Sequence, residues 1–406
     1  MAKPEDQDLF SAAPLPVAPL DDAQRLACLR LIRSETVGPA TFRALVNHFG
    51  GAREALAALP EIGKRAGRAR PVRIYPAGEA EAELEAADKA GIRLLFTIEP
   101  GYPAPLAFTE GAPPLLYVKG RIELLRMPTI AVVGSRQASA AGIQLARQFS
   151  GSFGKAGYVV CSGLARGIDA AAHQASLDAG TVAVLAGGLD VVYPPENREL
   201  QAEIGRRGCL VSEQPLGFQP RAQDFPRRNR IISGIARAVV VVEAARRSGT
   251  LITARLANEQ GREVFAVPGH PLDPRAEGTN QLIKDGAAMA TSADDVLEAL
   301  ARQLQAPALR SFAEDLPADL MAAVGKPASE MSVQRAPRIQ PPVEADMTRA
   351  LDVVQRVLGP APVSMDEISR ATGLAAREVQ VAIMELALAG SVELHGGQLV
   401  SLRPPN

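Results

Sequence analysis

From Thr129 to about Gln303 the chain alternates without pause between short valine-rich runs and stretches with helical apolar spacing. The runs are Thr129–Val133, Tyr158–Cys161, Thr181–Leu185, Cys209–Ser212, Ala238–Glu243 and Glu263–Ala266. Some are apolar almost throughout, as in RAVVVVEA (237–244). A strand facing water on one side would alternate, so a continuous run means burial on both faces, in a parallel sheet with helices on either side. The fold class is therefore α/β, an extended Rossmann-like doubly wound parallel sheet. Such sheets bind ligands beyond the carboxyl ends of their strands, which makes the strand-end sequences the informative ones.

The first strand runs into Gly134-Ser135-Arg136 and then an alanine-rich helical pattern, TIAVVGSRQASAAG. A strand, a glycine turn and a helix start can present backbone N–H groups to an anion. Arg136 adds a planar cationic fork suited to phosphate oxygens. The spacing is neither G-x-G-x-x-G nor a P-loop. The later ends read SGLARGID (162–169), GGLD (187–190) leading to YPPENREL, SEQPLGFQPRAQDFPRRNRIISG (212–234), and EAARRSGTLITA (243–254). Glycine with hydroxyl or basic residues recurs along one sheet edge, which points to a phosphate-rich ligand.

That charge has to be local, because 44 Lys and Arg against 45 Asp and Glu leave a formal net charge of −1. Cys28, Cys161 and Cys209 lie far apart, and the four histidines form no H-x-x-x-H pair, so neither a disulfide framework nor a metal site is expected. No cofactor is expected either. No apolar run approaches the roughly 20 residues of a membrane span, and MAKPEDQDLF does not resemble a signal peptide. A cytoplasmic protein without membrane contact is expected.

Outside the α/β block, residues 1–20 are rich in Pro and Ala and expected to be disordered. Residues 21–90 read as a helical SAM/helix-hairpin-helix-like domain, broken at Thr36-Val37-Gly38-Pro39. Such a hairpin can touch DNA backbone or can be plain helical packing. The α/β domain is expected over 91–303, with Ile92–Phe96 and Leu115–Val118 as entry strands, and a linker over 304–345. Residues 346–406 read as a winged helix: Ala350–Leu358, then SMDEISRATGL and AAREVQVAIMELALAG, then a hairpin turning on Gly396-Gly397. Its would-be recognition helix, with Arg377, Glu378 and Glu385, is poor in positive charge, which favours a protein-contact role.

The order GSR, SGxAxGID, LD…YPxxN, FPxRNRIISG, EA…SGTLITA and VFAVPG…GTNQLIKDGA resembles the DNA-processing protein A family (DprA, also called Smf) over roughly residues 20–300. The tail resembles the winged-helix domain some members carry. The resemblance implies a non-catalytic protein that binds single-stranded DNA, protects incoming strands in natural transformation and helps load RecA. It also implies a homodimer and a contact with single-strand-binding protein. Carried over by motif, Arg136 is the main phosphate contact, with Gly134 and Ser135 shaping its turn and Ser162, Gly163 and Gly167 lining the next strand end. Arg198, Asn229 and Arg230 follow as motif positions. Arg227 and Arg228 read as added local charge, and Ser248, Gly249 and Thr250 open the last helix. Asp169 and Glu243 read as turn-holding carboxylates rather than catalysts, and His173 as structural. The competing reading is a Rossmann-type enzyme hydrolysing nucleotide N-glycosidic bonds. That chemistry needs a glycine-rich segment followed by a catalytic glutamate, and Glu259 lies too far along to supply it.

Overall fold

The computed structural model describes residues 20–65, 70, 72–109, 111–305, 344–358, 363–395 and 399–402. The expected tail (all but Leu20) and most of the expected linker lie outside the described residues. A nine-stranded sheet carries the fold. In chain order its strands are β1 Arg93–Phe96, β2 Leu115–Gly120, β3 Thr129–Val133, β4 Val159–Ser162, β5 Thr181–Leu185, β6 Cys209–Ser212, β7 Ala238–Val241, β8 Glu263–Ala266 and β9 Ala288–Met289. Their spatial order is β1-β2-β6-β5-β4-β3-β7-β8-β9. From β3 the chain steps outward through β4, β5 and β6, then crosses back to β7 on the other flank of β3. The order therefore reverses at β3.

The sheet is mixed rather than wholly parallel. β3 to β9 run parallel, while β2 pairs antiparallel with both β1 and β6. Strand composition carries no direction, so the entry strands could be read as strands but not oriented. The two-residue β9 was not legible at all; both of its side chains are exposed.

Burial on both faces follows the two-residue period of the strands. Ile130, Val132, Val160 and Val240 face Phe149 and Phe153 on one side. Ala131, Val133, Cys161 and Val239 face Ile231, Ile232 and Ile235 on the other. The first side is covered by α6 (Ala140–Lys155), α7 (Ile168–Ser176) and α12 (Ala293–Gln305), the second by α9 (Asp224–Ile235) and α10 (Gly249–Glu259). The segment α5 (Ala104–Ala107) precedes β3, and α8 (Arg198–Arg207) and α11 (Glu277–Lys284) fill the remaining crossovers.

N-terminal to the sheet lie α1 (Asp22–Arg33), α2 (Pro39–Phe49), α3 (Ala52–Arg65) and α4 (Ala77–Lys89). Asp21 opens α1 with a capping box to Gln24. The winged helix comprises α13 (Glu344–Val357), α14 (Met365–Thr372), α15 (Ala376–Leu388) and β10 (Val363–Ser364), β11 (Val392–His395) and β12 (Leu399–Leu402). β11 and β12 pair antiparallel; the turn expected at Gly396-Gly397 lies outside the described residues.

His173 on α7 is fully buried, with Nδ1 2.7 Å from Thr181 Oγ1. Burial, reinforced by the Arg228 charge, pushes its pKa down to about 3. An unfolded histidine titrates near 6.5, so its contribution to stability is intact above about pH 6.5 and is lost as pH falls toward 3. Urea unfolding of His173→Gln between pH 7 and pH 4 should show a shallower loss of stability than the parent chain. Phe153, also fully buried, should cost about 3–5 kcal/mol on change to Ala, read from the same urea midpoints.

Candidate nucleic-acid interface

A cleft of about 780 Å³ opens beyond the carboxyl ends of β3, β4 and β7, at the point where the strand order reverses. Its lining carries Arg136, Arg166, Arg228 and Arg247 against a single carboxylate, Asp169. The excess is cationic despite the near-neutral chain.

The loops that form it are locked together at close quarters. Gly167 adopts φ +75°, and a Cβ there would lie 2.3 Å from Ser135 O. Gly134 sits so close to α7 that a Cβ would meet Ile168 Cγ1 at 2.6 Å. Thr250 donates its hydroxyl to Gly134 O at 3.0 Å, tying the start of α10 to the β3 turn. Ser248 caps α10 by accepting from Thr250 N. Ser248, Gly249 and Thr250 all line the cleft with Gly134, Ser135 and Arg136.

The start of α6 and the loop before α7 each already hold one of the protein's own carboxylates. Glu243 accepts from Ser139 N at 3.0 Å and Ser139 Oγ at 2.5 Å, at the start of α6. Asp169 accepts from Gly163 N at 3.2 Å and Ala165 N at 3.3 Å, bracing the loop before α7. Burial raises the Asp169 pKa, against the lowering pull of Arg228 and the backbone donors. Anion affinity in this cleft therefore falls to the arginines more than to helix dipoles.

The FPRRNR run does not act as one track, because it is helical and each residue turns by about 100° from the last. Arg227 is exposed and outside the cleft lining. Arg228 is 6% exposed, donates Nη1 to Val184 O at 3.0 Å and reaches the cleft floor. It is not added surface charge. Burial pulls its pKa down to about 10, partly offset by Asp169, so it stays cationic at neutral pH. Asn229 lines the cleft and donates Nδ2 to Gly249 O. Arg230 turns away: Nη1 bonds Gly111 O, and Nη2 bonds both oxygens of Glu213 at 2.7 and 2.6 Å. It holds structure rather than lining the cleft.

Four further expected contacts, Ser162, Gly163, Gly167 and Arg198, also fall outside the cleft lining. Ser162 is fully buried with its hydroxyl given to Val132 O at 2.7 Å. Arg198 opens α8 on the surface, away from the lining; its neighbour Asn197 instead holds the β4 loop through Leu164 O and Ala165 O. Gly163 serves by absence of a side chain, since a Cβ there would lie 1.6 Å from Arg228 Nη1.

Two aromatic side chains, Tyr193 and Phe225, stand among the arginines of the cleft. Tyr193, 46% exposed, packs against Phe225 with ring centroids 5.2 Å apart. The Arg136 guanidinium lies 5.3 Å from the Phe225 ring centroid. No carboxylate among the described residues pairs with Arg136. Tyr193 belongs to the YPxxN string, the signal that could have marked it. Arg166 and Arg247 were legible only as members of SGLARGID and EAARRSGTLITA.

Known proteins resemble the chain over most of its length. Residues 93–301 match the family of DNA recombination-mediator protein A, about half of the chain. The chain belongs to that family. Residues 22–86 match its DprA-like N-terminal HHH domain and 336–398 its DprA winged helix domain. Protein Smf of Synechocystis is 33% identical over 396 residues, covering 89% of this chain and 94% of that protein. DNA processing protein DprA of Streptococcus pneumoniae is 47% identical over 198 residues, covering 48% of this chain and 70% of that one. A crystal structure of the Streptococcus pneumoniae protein superposes with TM-score 0.58 and 35% identity, over 69% of this chain and 98% of that one. No helix among the described residues is long and apolar enough to cross a membrane.

As a family member whose cleft depends on a buried cation, the chain should be sensitive at Gly163. Gly163→Ala should lower the melting temperature by several degrees, because the added Cβ would stand 1.6 Å from Nη1 of the buried Arg228 guanidinium, which is held on Val184 O. A melting temperature unchanged by the substitution would place Arg228 elsewhere.

Proposed function

We propose that this chain binds single-stranded DNA along the switch-point cleft without breaking a bond in it. The observation that carries the reading is Arg136, free of any carboxylate among the described residues, held over Phe225 beside the exposed ring of Tyr193. Arginines follow the phosphates, and aromatic faces receive bases only where those bases are unstacked from a partner strand. A duplex hides its base faces, so the pairing of cation and ring favours single strands.

The carboxylates that the competing hydrolase reading would require are engaged. Asp169 holds two backbone amides, Glu243 holds Ser139, and Glu259 lies on the surface beside Arg255. Membership of a recombination-mediator family supports a wider role: protecting incoming strands and helping to load RecA in natural transformation. Homodimerisation, a contact with single-strand-binding protein and a cytoplasmic location belong to the same proposal and rest on the family resemblance alone.

The test is fluorescence anisotropy with labelled oligonucleotides over a range of salt. Arg136→Ala should weaken binding to all sequences about equally and reduce the salt slope by about 0.7, the value for one single-strand phosphate. Arg230→Ala should leave that slope unchanged and instead lower the melting temperature, since its partners are Glu213 and Gly111. Tyr193→Ala should cost about 1–3 kcal/mol of affinity on base-bearing strands, with the slope intact and little effect on abasic strands. An Arg136→Ala protein that folds and keeps both affinity and slope would falsify the placement of the strand.

A further inference from the structure

The helix α15 is buried on two faces. Val379, Ala382, Ile383 and Leu386 form one stripe at helical spacing; Val381, Met384, Glu385 and Leu388 form another, and all eight are buried. The stripes are offset by two positions, about 200° around the axis. A helix that packs on its own domain and offers its other side to solvent or DNA needs only one such stripe.

The first covering is the winged helix itself, since α13 and α14 pack against α15. The second comes from the other end of the chain, where α2 and α3 also pack against it. Thr36, in the hairpin between α1 and α2, donates its hydroxyl at 2.6 Å to Glu35 O and brings the same oxygen within 3.2 Å of Leu388 O. That carbonyl belongs to the last turn of α15. Leu388 ends the second stripe, so the second stripe is the one set against the N-terminal helices.

In a helix-turn-helix, this position is held by the helix that enters the major groove. We infer that α15 is instead a protein-docking helix whose partner is the N-terminal helical domain of the same chain, and that the winged helix does not read DNA while docked. Charge agrees: α15 carries Arg377 against Glu378 and Glu385, the wrong balance for a phosphate backbone. This inference stands apart from the switch-point cleft and survives or fails independently of it.

Distance measurement by double electron–electron resonance tests it on the full chain. Cys28, Cys161 and Cys209 are all buried, so spin labels can be directed to Arg53→Cys on α3 and Arg377→Cys on α15, both exposed in the parent. The docked arrangement gives one narrow distance distribution. It persists when doubly labelled protein is diluted with unlabelled protein, and also when single-stranded or duplex oligonucleotide is added. A broad distribution in the free protein would overturn the inference. So would loss of the short distance on dilution, which would mean a second copy supplies the partner surface. Conversion from narrow to broad by duplex DNA would return α15 to the role of a DNA reader.

Discussion

One guanidinium holds the carboxyl edge of the sheet together. Arg228 reaches from α9 into the space between β4 and β5, bonding Val184 O and facing Asp169 across the loop that Asp169 braces. Removing a cation from water costs several kcal/mol unless its partners compensate. Here one carbonyl and one nearby carboxylate carry that compensation, and Gly163 leaves the room. The arrangement couples the ends of β4 and β5 to one helix. A change at Gly163, Asp169 or Arg228 should therefore be felt at all of them.

The same economy explains why the cleft is cationic in a chain that is not. Glu243 satisfies donors at the start of α6, and Asp169 satisfies two amides of the loop before α7, so both carboxylates are engaged within the protein. Glu213 neutralises Arg230 on the far side of α9. What remains facing the open groove is Arg136 and Arg247, with Arg166 at the rim near Glu196 and Arg228 beneath. The charge is separated by topology rather than supplied by composition. A strand reversal at β3 leaves a crevice there, and the carboxylates are spent building its walls.

Much of this was legible in the sequence. The Val-rich runs gave the strands almost to the residue, and the strand-end strings located the cleft, because both depend on local pattern. The winged helix and the N-terminal helices were legible for the same reason. What failed was side-chain direction. Ser162 sits in a strand-end motif, yet its hydroxyl turns into the sheet toward Val132 O. The four residues Arg227 to Arg230 look like one basic patch in text, but on a helix they point outward, inward, to the cleft and to Glu213. Tyr193 meets Phe225 only because the loops after β5 and β6 converge, a contact across 32 positions that no short window contains. The residues of the second buried stripe of α15, Glu385 among them, carried no local sign that α2 and α3 pack against that helix.

The account places a single strand at the reversal point, over Arg136 and against the exposed ring of Tyr193 where it packs on Phe225. Photocrosslinking tests that placement most directly. A single-stranded oligonucleotide bearing 4-thiothymidine is irradiated in complex with the full chain, and the attached peptides are identified by mass spectrometry. The account predicts attachment within residues 186–194 and 222–229, reduced by Tyr193→Ala and by competing unlabelled single strand. Attachment concentrated instead on the winged helix or on the outer strands β1 and β9 would contradict it.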